Sequence, residues 1–513
     1  MTFSNAQNRG RLVGRPLTPE LAAREWQPRE SSRTITTNVS EHPIRFGTDG
    51  WRAIIAEEFT FENVRIASQA AAQYFKQAGR PERGIVVGYD TRFLSAEFAD
   101  AVAEVLAGNG IPVYLCGSPA PTPVIGYSIL DRGAAGSIVI TSSHNPAEYS
   151  GFKVRTDYAG AASPETVAAI EAEIPAAIHN GVQRLPLEAA RGRGLVETID
   201  PKAPYLAHLT ELVELDRLRD AGLRVIVDPM FGAGAGYLRD ILSGGRTQVF
   251  EIRGEHNPAF PGIHNPEPIP RNLEATREAI AAHGAAVALA TDGDADRIGV
   301  MDANGRFVNQ LETFALLAYY LLEVRGLRGP IVKSVTTTSM VLRLGELYGV
   351  PVHETGVGFK YLGPKMRETD ALIAGEESGG FAFRDHMPER DGVLSGLYVL
   401  DLMARRGKDL PALIEELFSK VGPHFYGRID VTLTEETRAA VGKRIEGLAP
   451  QSIAGLRVTG YDRQDGLRFL MEDGAWALIR LSGTEPLMRI YTEVQREDLV
   501  QPVLEAVREM TGA

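Results

Sequence analysis

Three stretches of the chain repeat one alternation, a short apolar run of strand type followed by a run of helical period. In the first, strands are expected at 84–88, 111–116 and 137–140, with helices at 61–78, 95–107 and 164–174. The last of these helices has Ser163 placed to cap it and Pro164 at its first position. The second stretch offers strands at 224–228, 247–252 and 286–290 and a helix at 273–283. An amphipathic segment at 311–324 opens the third, with strands at 331–335 and 371–374 and helices at 339–348 and 393–405. After Gly422-Pro423 the pattern changes to short strands at 428–433, 467–471 and 475–481 with helices at 435–446 and 499–510.

This order predicts an α/β protein of three related mixed α/β domains, with mainly parallel pairing, plus a smaller C-terminal α+β domain. The expected boundaries are 41–200, 201–308, 309–423 and 424–513, after a mobile leader at 1–40, and 185–204 reads as a connection. A length of 513 residues accommodates several separate cores. The net charge of −12 disfavours wholesale binding to nucleic acid or anionic lipid. The single cysteine, Cys116, cannot make an intrachain disulfide, and no apolar run reaches the ~20 residues of a membrane span. A cytoplasmic protein acting on a small molecule, as monomer or homodimer, is the expectation.

Sheets of this kind place ligand sites in the loops at strand carboxyl ends, and four loops carry chemistry. Thr141-Ser142-Ser143-His144-Asn145-Pro146 follows the strand at 137–140. Three readings stand: turn chemistry at Asn145-Pro146, an activated Ser143 nucleophile, or Ser143 as carrier of a covalent phosphate. His-Asn-Pro recurs at 256–258 and 264–266 without a preceding serine, so the tripeptide is partly punctuation.

After the strand at 286–290 come Asp292, Asp294 and Asp296, separated by small residues and followed by Arg297. In an extended backbone these alternate positions point to one side and converge on one ion. Oxygen ligands suit Mg²⁺ or Ca²⁺. An EF-hand is excluded because Arg297 replaces the required glycine and Ala303 takes the final ligand position. A solvated acidic turn is the competing reading. The run Gly232, Gly234, Gly236 is not a dinucleotide fingerprint, because the third glycine of that pattern would fall on Tyr237, and close helix packing is expected there.

The turn Gly375-Glu376-Glu377-Ser378-Gly379-Gly380 offers a carboxylate and a hydroxyl for adjacent sugar hydroxyls. Ser482, Gly483 and Thr484, with Arg480 and Arg489 nearby, form a candidate phosphate nest. A surface turn and a hairpin with surface arginines are the alternatives.

In content and order these four loops resemble those of the α-D-phosphohexomutase family over about residues 45–510. The segments 47–52, with Arg52, and 356–360, with Lys360, resemble further family elements. The resemblance implies four domains around a central active-site cleft, with Ser143 as phosphoserine. It also implies Mg²⁺ on Ser143, Asp292, Asp294 and Asp296, with Arg52 and Arg297 adding positive charge. Lys153 then assists proton transfer with a depressed pKa, and His144 is the second candidate base or a loop-orienting group. Lys360, Glu376, Ser378, Arg480, Ser482, Gly483, Thr484 and Arg489 bind a phosphosugar that passes through a hexose 1,6-bisphosphate. Gly379-Gly380 lacks the aromatic residue and the histidine of common subfamilies. Glucose is favoured, then mannose, with phosphoglucosamine mutase, glucose 1,6-bisphosphate synthase and a metal-dependent sugar phosphatase as alternatives.

Overall fold

The computed structural model describes residues 42–47, 49–481 and 487–512. The leader expected at 1–40 and the phosphate-binding roles expected of Ser482, Gly483 and Thr484 lie outside them. Among the described residues no helix is long and apolar enough to cross a membrane.

The repeated alternation folds three times into one topology. In the first unit the parallel strands Ile85–Tyr89, Val113–Cys116 and Gly136–Ile140 are followed by an antiparallel return strand, Tyr149–Thr156. The second repeats this with Arg224–Asp228, Gln248–Glu251, Val287–Thr291 and the return Ile298–Asp302. The third uses Ile331–Ser334, Val352–Thr355, Ile373–Gly375 and the return Phe381–Phe383. In each sheet the spatial order is return, third, first, second. The serine, aspartate and glutamate loops are therefore the same loop, the hairpin between third strand and return, in three copies. The sheets are mixed rather than mainly parallel. The fourth unit is a six-stranded sheet with the helices Glu435–Glu446 and Val500–Thr511.

Caps follow the local sequence. Ser163 accepts from Thr166 N with Pro164 at the first turn, and Asn309 and Glu312 form a reciprocal capping box. Three expectations need correction. The segment 185–204 is more than a connection, since its strand Val196–Ile199 extends the first sheet beside Val113–Cys116. The segment 311–324 is not amphipathic: every residue of Gln310–Tyr319 is buried, and the chain continues as a π turn through Tyr320–Val324. Its polar residues are used internally, Glu312 pairing with Arg306. Gly232 and Gly234 serve the aspartate loop and not helix packing. A Cβ on Gly232 would sit 2.7 Å from Gly293 O, and one on Gly234 2.6 Å from Thr291 Oγ1.

One apolar core runs through the first three units, from Val86 and Val139 through Leu238 and Leu289 to Phe314, Phe381 and Leu397. The fourth unit has its own core around Phe469, Ile479, Ile490 and Val503. Val335, Trp476, Leu478 and Tyr491 join the two.

Candidate active site

Ser143 is buried at the exit of Gly136–Ile140 in the left-handed region, φ 52°. Non-glycine residues enter that region only when their surroundings hold them. Ser143 N donates to Thr141 Oγ1 at 2.9 Å. The buried Arg92 donates to the carbonyls of Ser143, Asn145, Pro146 and Tyr149 and is itself paired with Asp90 at 3.1 Å. Ser143 Oγ lies 2.8 Å from Asp292 Oδ2 and 3.4 Å from His144 Nδ1. Burial and the cations Arg297, Arg52, Lys153 and Arg92 hold His144 well below its usual pKa, so the ring is neutral. Arg52 reaches the loop through Asn145 Oδ1 at 2.7 Å. The third His-Asn-Pro also belongs here: Asn265 Nδ2 donates to His144 O at 2.8 Å.

Asp292, Asp294 and Asp296 are fully buried, with ligand oxygens within 4.8 Å of one another. They converge through a turn closed by Ala295 N to Asp292 O, with Ala295 at φ 55°, and not through an extended strand. A Cβ on Gly293 would stand 2.4 Å from Ser143 O, so only glycine lets the two loops touch. Burial, then Asp296 and Asp294, push the Asp292 carboxyl well above its usual range. Asp294 Oδ1 and Asp296 Oδ1 are buried without a hydrogen-bond partner among the described residues. Crowded, desolvated oxygens of this kind fit a hard divalent cation.

Lys153, on the return strand, touches Asp294 at 2.8 Å, Asp49 at 3.0 Å and Asp296 at 3.4 Å. Burial alone would lower its pKa, but Asp294, Asp49 and Asp296 outweigh burial and raise it. The expected depression is not met, because carboxylates and not arginines are its nearest neighbours. Arg297 stands 3.9 Å from Asp296, 4.0 Å from Asp292 and 3.6 Å from Glu267.

Glu376 accepts from Ser378 Oγ at 3.1 Å, and its buried Oε1 has no partner among the described residues. Burial raises its pKa against Arg390 and Arg297. Arg390 ties the three units together, meeting Asp49 at 2.8 Å, Asp296 at 2.9 Å and Glu376 at 3.9 Å. Burial opposes the ionisation of Asp49, yet Arg155, Lys153 and Arg390 keep its carboxyl well below the usual range.

The remaining described candidates lie on the third and fourth units. Arg480 Nε donates to Asp465 Oδ1 at 2.9 Å, and Arg489 stands opposite Arg480 on the neighbouring strand, 3.9 Å from Asp430. Lys360 opens the helix Phe359–Thr369 and lies over the Tyr361 ring. Sequence reasoning missed Arg92, Asp49, Arg390 and Asp465. Arg92 follows the strand Ile85–Tyr89, so the rule of strand carboxyl ends could have found it. Arg390 had no comparable local signal, since its partners come from distant stretches.

A sheltered hydroxyl, a carboxylate cage able to take a divalent ion and a ring of arginines are what an enzyme needs to move a phosphoryl group. The triplicated sheet with a fourth unit narrows that class. The chain belongs to the phosphoglucomutase/phosphomannomutase family and is a phosphohexomutase: the family's α/β/α domains I, II and III match residues 43–180, 203–305 and 309–421, and its C-terminal domain matches 430–510. The phosphoglucomutase/phosphomannomutase of Thermococcus kodakarensis is 32% identical over 90% of this chain and 96% of that protein. A protein of Methanothermobacter thermautotrophicus assigned as a phosphoglucosamine mutase is 31% identical over 91% of this chain and 97% of its own length. The crystal structure of a Thermus thermophilus protein assigned as a phosphomannomutase superposes with TM-score 0.79 at 37% identity, covering 92% of this chain and 99% of that one.

Proposed function

We propose that the protein interconverts hexose 1-phosphate and hexose 6-phosphate, glucose preferred and mannose accepted, through a phosphoserine at Ser143 and a 1,6-bisphosphate intermediate. The observation that carries this reading is the 2.8 Å approach of Ser143 Oγ to Asp292, which puts the hydroxyl against the carboxylate cage. The Oγ–P bond breaks as a sugar oxygen bonds to phosphorus, and the sugar hydroxyl gives up its proton. Lys153 and His144, whose Nδ1 lies 3.4 Å from Ser143 Oγ, are the candidate groups to take up that proton and return one to Ser143 Oγ. Mg²⁺ held by Asp292, Asp294, Asp296 and an oxygen of the Ser143 phosphate would supply positive charge against the transferring group. Arg52 and Arg297 add to it. The intermediate then turns over and returns its other phosphate to Ser143. Glu376 and Ser378 hold the 3- and 4-hydroxyls in both orientations, while Lys360, Arg480, Ser482, Gly483, Thr484 and Arg489 grip the distal phosphate.

Glucose preference rests on the Gly375-Glu376-Glu377-Ser378 opening of the sugar loop. The similarity to proteins assigned as phosphoglucosamine mutases favours glucosamine as the second reading. A coupled assay with glucose, mannose and glucosamine 1-phosphates, with Mg²⁺ and glucose 1,6-bisphosphate as activator, tests both. Fastest turnover of glucose 1-phosphate, abolished in Ser143→Ala, is expected. Conversion of none of them, or equal turnover by Ser143→Ala, overturns the reading.

A further inference from the structure

Where the fourth unit meets the third, one carboxylate engages both a candidate phosphate-binding arginine and the backbone of the third unit. Asp465 lies in the turn joining the strands Leu456–Asp462 and Leu467–Met471. Its Oδ1 accepts from Arg480 Nε at 2.9 Å, and its Oδ2 accepts from the backbone N–H of Val357 at 2.8 Å. Val357 belongs to the third unit, three residues before Lys360. The turn is pressed onto the strand that carries Arg480. Gly466 sits at φ 103°, where a Cβ would come within 2.3 Å of Ile479 O.

We propose that Asp465 is a positioning residue: it orients the Arg480 guanidinium and registers it against the third unit, so that the distal phosphate meets a preset cation and the bisphosphate is retained while it turns over. This rests on the reading of Arg480 as a phosphate-binding residue. The geometry explains why a carboxylate is used. An arginine engaged through Nε has the plane of its fork set and its Nη edge directed away from the partner, the edge that pairs bidentately with phosphate. A carboxylate also has a second oxygen for an N–H on another unit, which a neutral amide, with one oxygen, cannot match for both donors. Among the described residues, the other carboxylate bridges between these units do not engage Arg480: Glu354 takes Arg468 and Lys333, Glu377 takes Tyr426 and Arg428, and Glu493 takes Thr338 and Ser339 N.

The test compares wild type, Asp465→Asn, Asp465→Ala, Arg480→Gln and, as a control for the turn, Gln464→Ala. KM and kcat are measured for the best hexose 1-phosphate of the coupled assay, together with bisphosphate released per turnover. Loss of a charge-assisted hydrogen bond at the grip raises KM about tenfold in Asp465→Asn. Its kcat at saturating activator changes less than about threefold, bisphosphate release rises, and Asp465→Ala shows the same pattern more strongly. Gln464→Ala behaves as wild type. If Arg480→Gln raises KM and Asp465→Asn does not, or if Asp465→Asn lowers only kcat and thermal stability together, the positioning role is overturned. If Arg480→Gln itself leaves KM unchanged, the phosphate-binding reading fails first.

Discussion

The core beneath the serine, aspartate and glutamate loops passes unbroken through three units, whereas the fourth meets them through a small apolar patch and a set of ionic bridges. The two junctions suit two tasks. Phosphoryl transfer needs its groups held to fractions of an ångström, and close-packed apolar interiors resist displacement. On the proposed function, gripping a phosphate and then releasing the product needs an interface that can open. Separated polar groups regain hydrogen bonds to water, so a junction built partly of polar bridges opens more readily than a packed core.

The sharpest way to break this comparison is at the serine. Ser143→Ala is expected to lower mutase turnover by at least about 10³-fold while leaving both junctions intact, checked by the coupled assay and by calorimetry. Asp294→Asn comes next, with a loss of about 10²-fold and a weakened Mg²⁺ dependence, read by metal titration of activity. Equal damage to stability and activity would instead make the aspartate loop a structural turn.

Phe314→Ala tests the shared core. The Phe314 ring stacks on Phe381, and a Cβ on Gly375 would reach within 2.4 Å of it, directly under the glutamate loop. A loss of about 3–5 kcal/mol is expected, read by denaturant unfolding, and it should lower the transition of all three units together. The smallest effect is at the ionic junction. Burial opposes the ionisation of Glu354, yet Arg468 and Lys333 depress its pKa from the ordinary 4.5 to about 2. Because the folded value is the lower one, this bridge stabilises above about pH 4.5 and is lost as pH falls toward 2. The transition of the fourth unit should drop by about 3 °C between pH 5 and pH 3, and Glu354→Gln should flatten that dependence. A single transition that ignores pH in this range would erase the distinction between the junctions.

Local pattern carried much of the architecture. The runs expected at 137–140 and 286–290 fold as the buried strands Gly136–Ile140 and Val287–Thr291, since their apolar residues leave little choice, and the loops that follow them hold Ser143 and the aspartates. The return strand carrying Lys153 was not legible. Its Tyr-Ser-Gly-Phe-Lys-Val-Arg-Thr alternation mixes polar with apolar residues because Lys153 and Arg155 are buried against Asp294, Asp49 and Glu389. A polar residue buried by a distant partner is invisible to a period.

The chain by itself therefore determined the three-fold α/β alternation, the smaller fourth unit, and which loops carry a hydroxyl, carboxylates and arginines. Only the tertiary structure decided that Arg390, Asp49 and Arg92 hold the site, that Gly232 and Gly234 make room for the aspartate loop, and that Asp465 spans two units. The reason is physical: apolar burial and capping are read from neighbours along the chain, while charge pairing and close approach depend on partners hundreds of residues away, such as Asp49 and Arg390, that only the packing of separate units brings together.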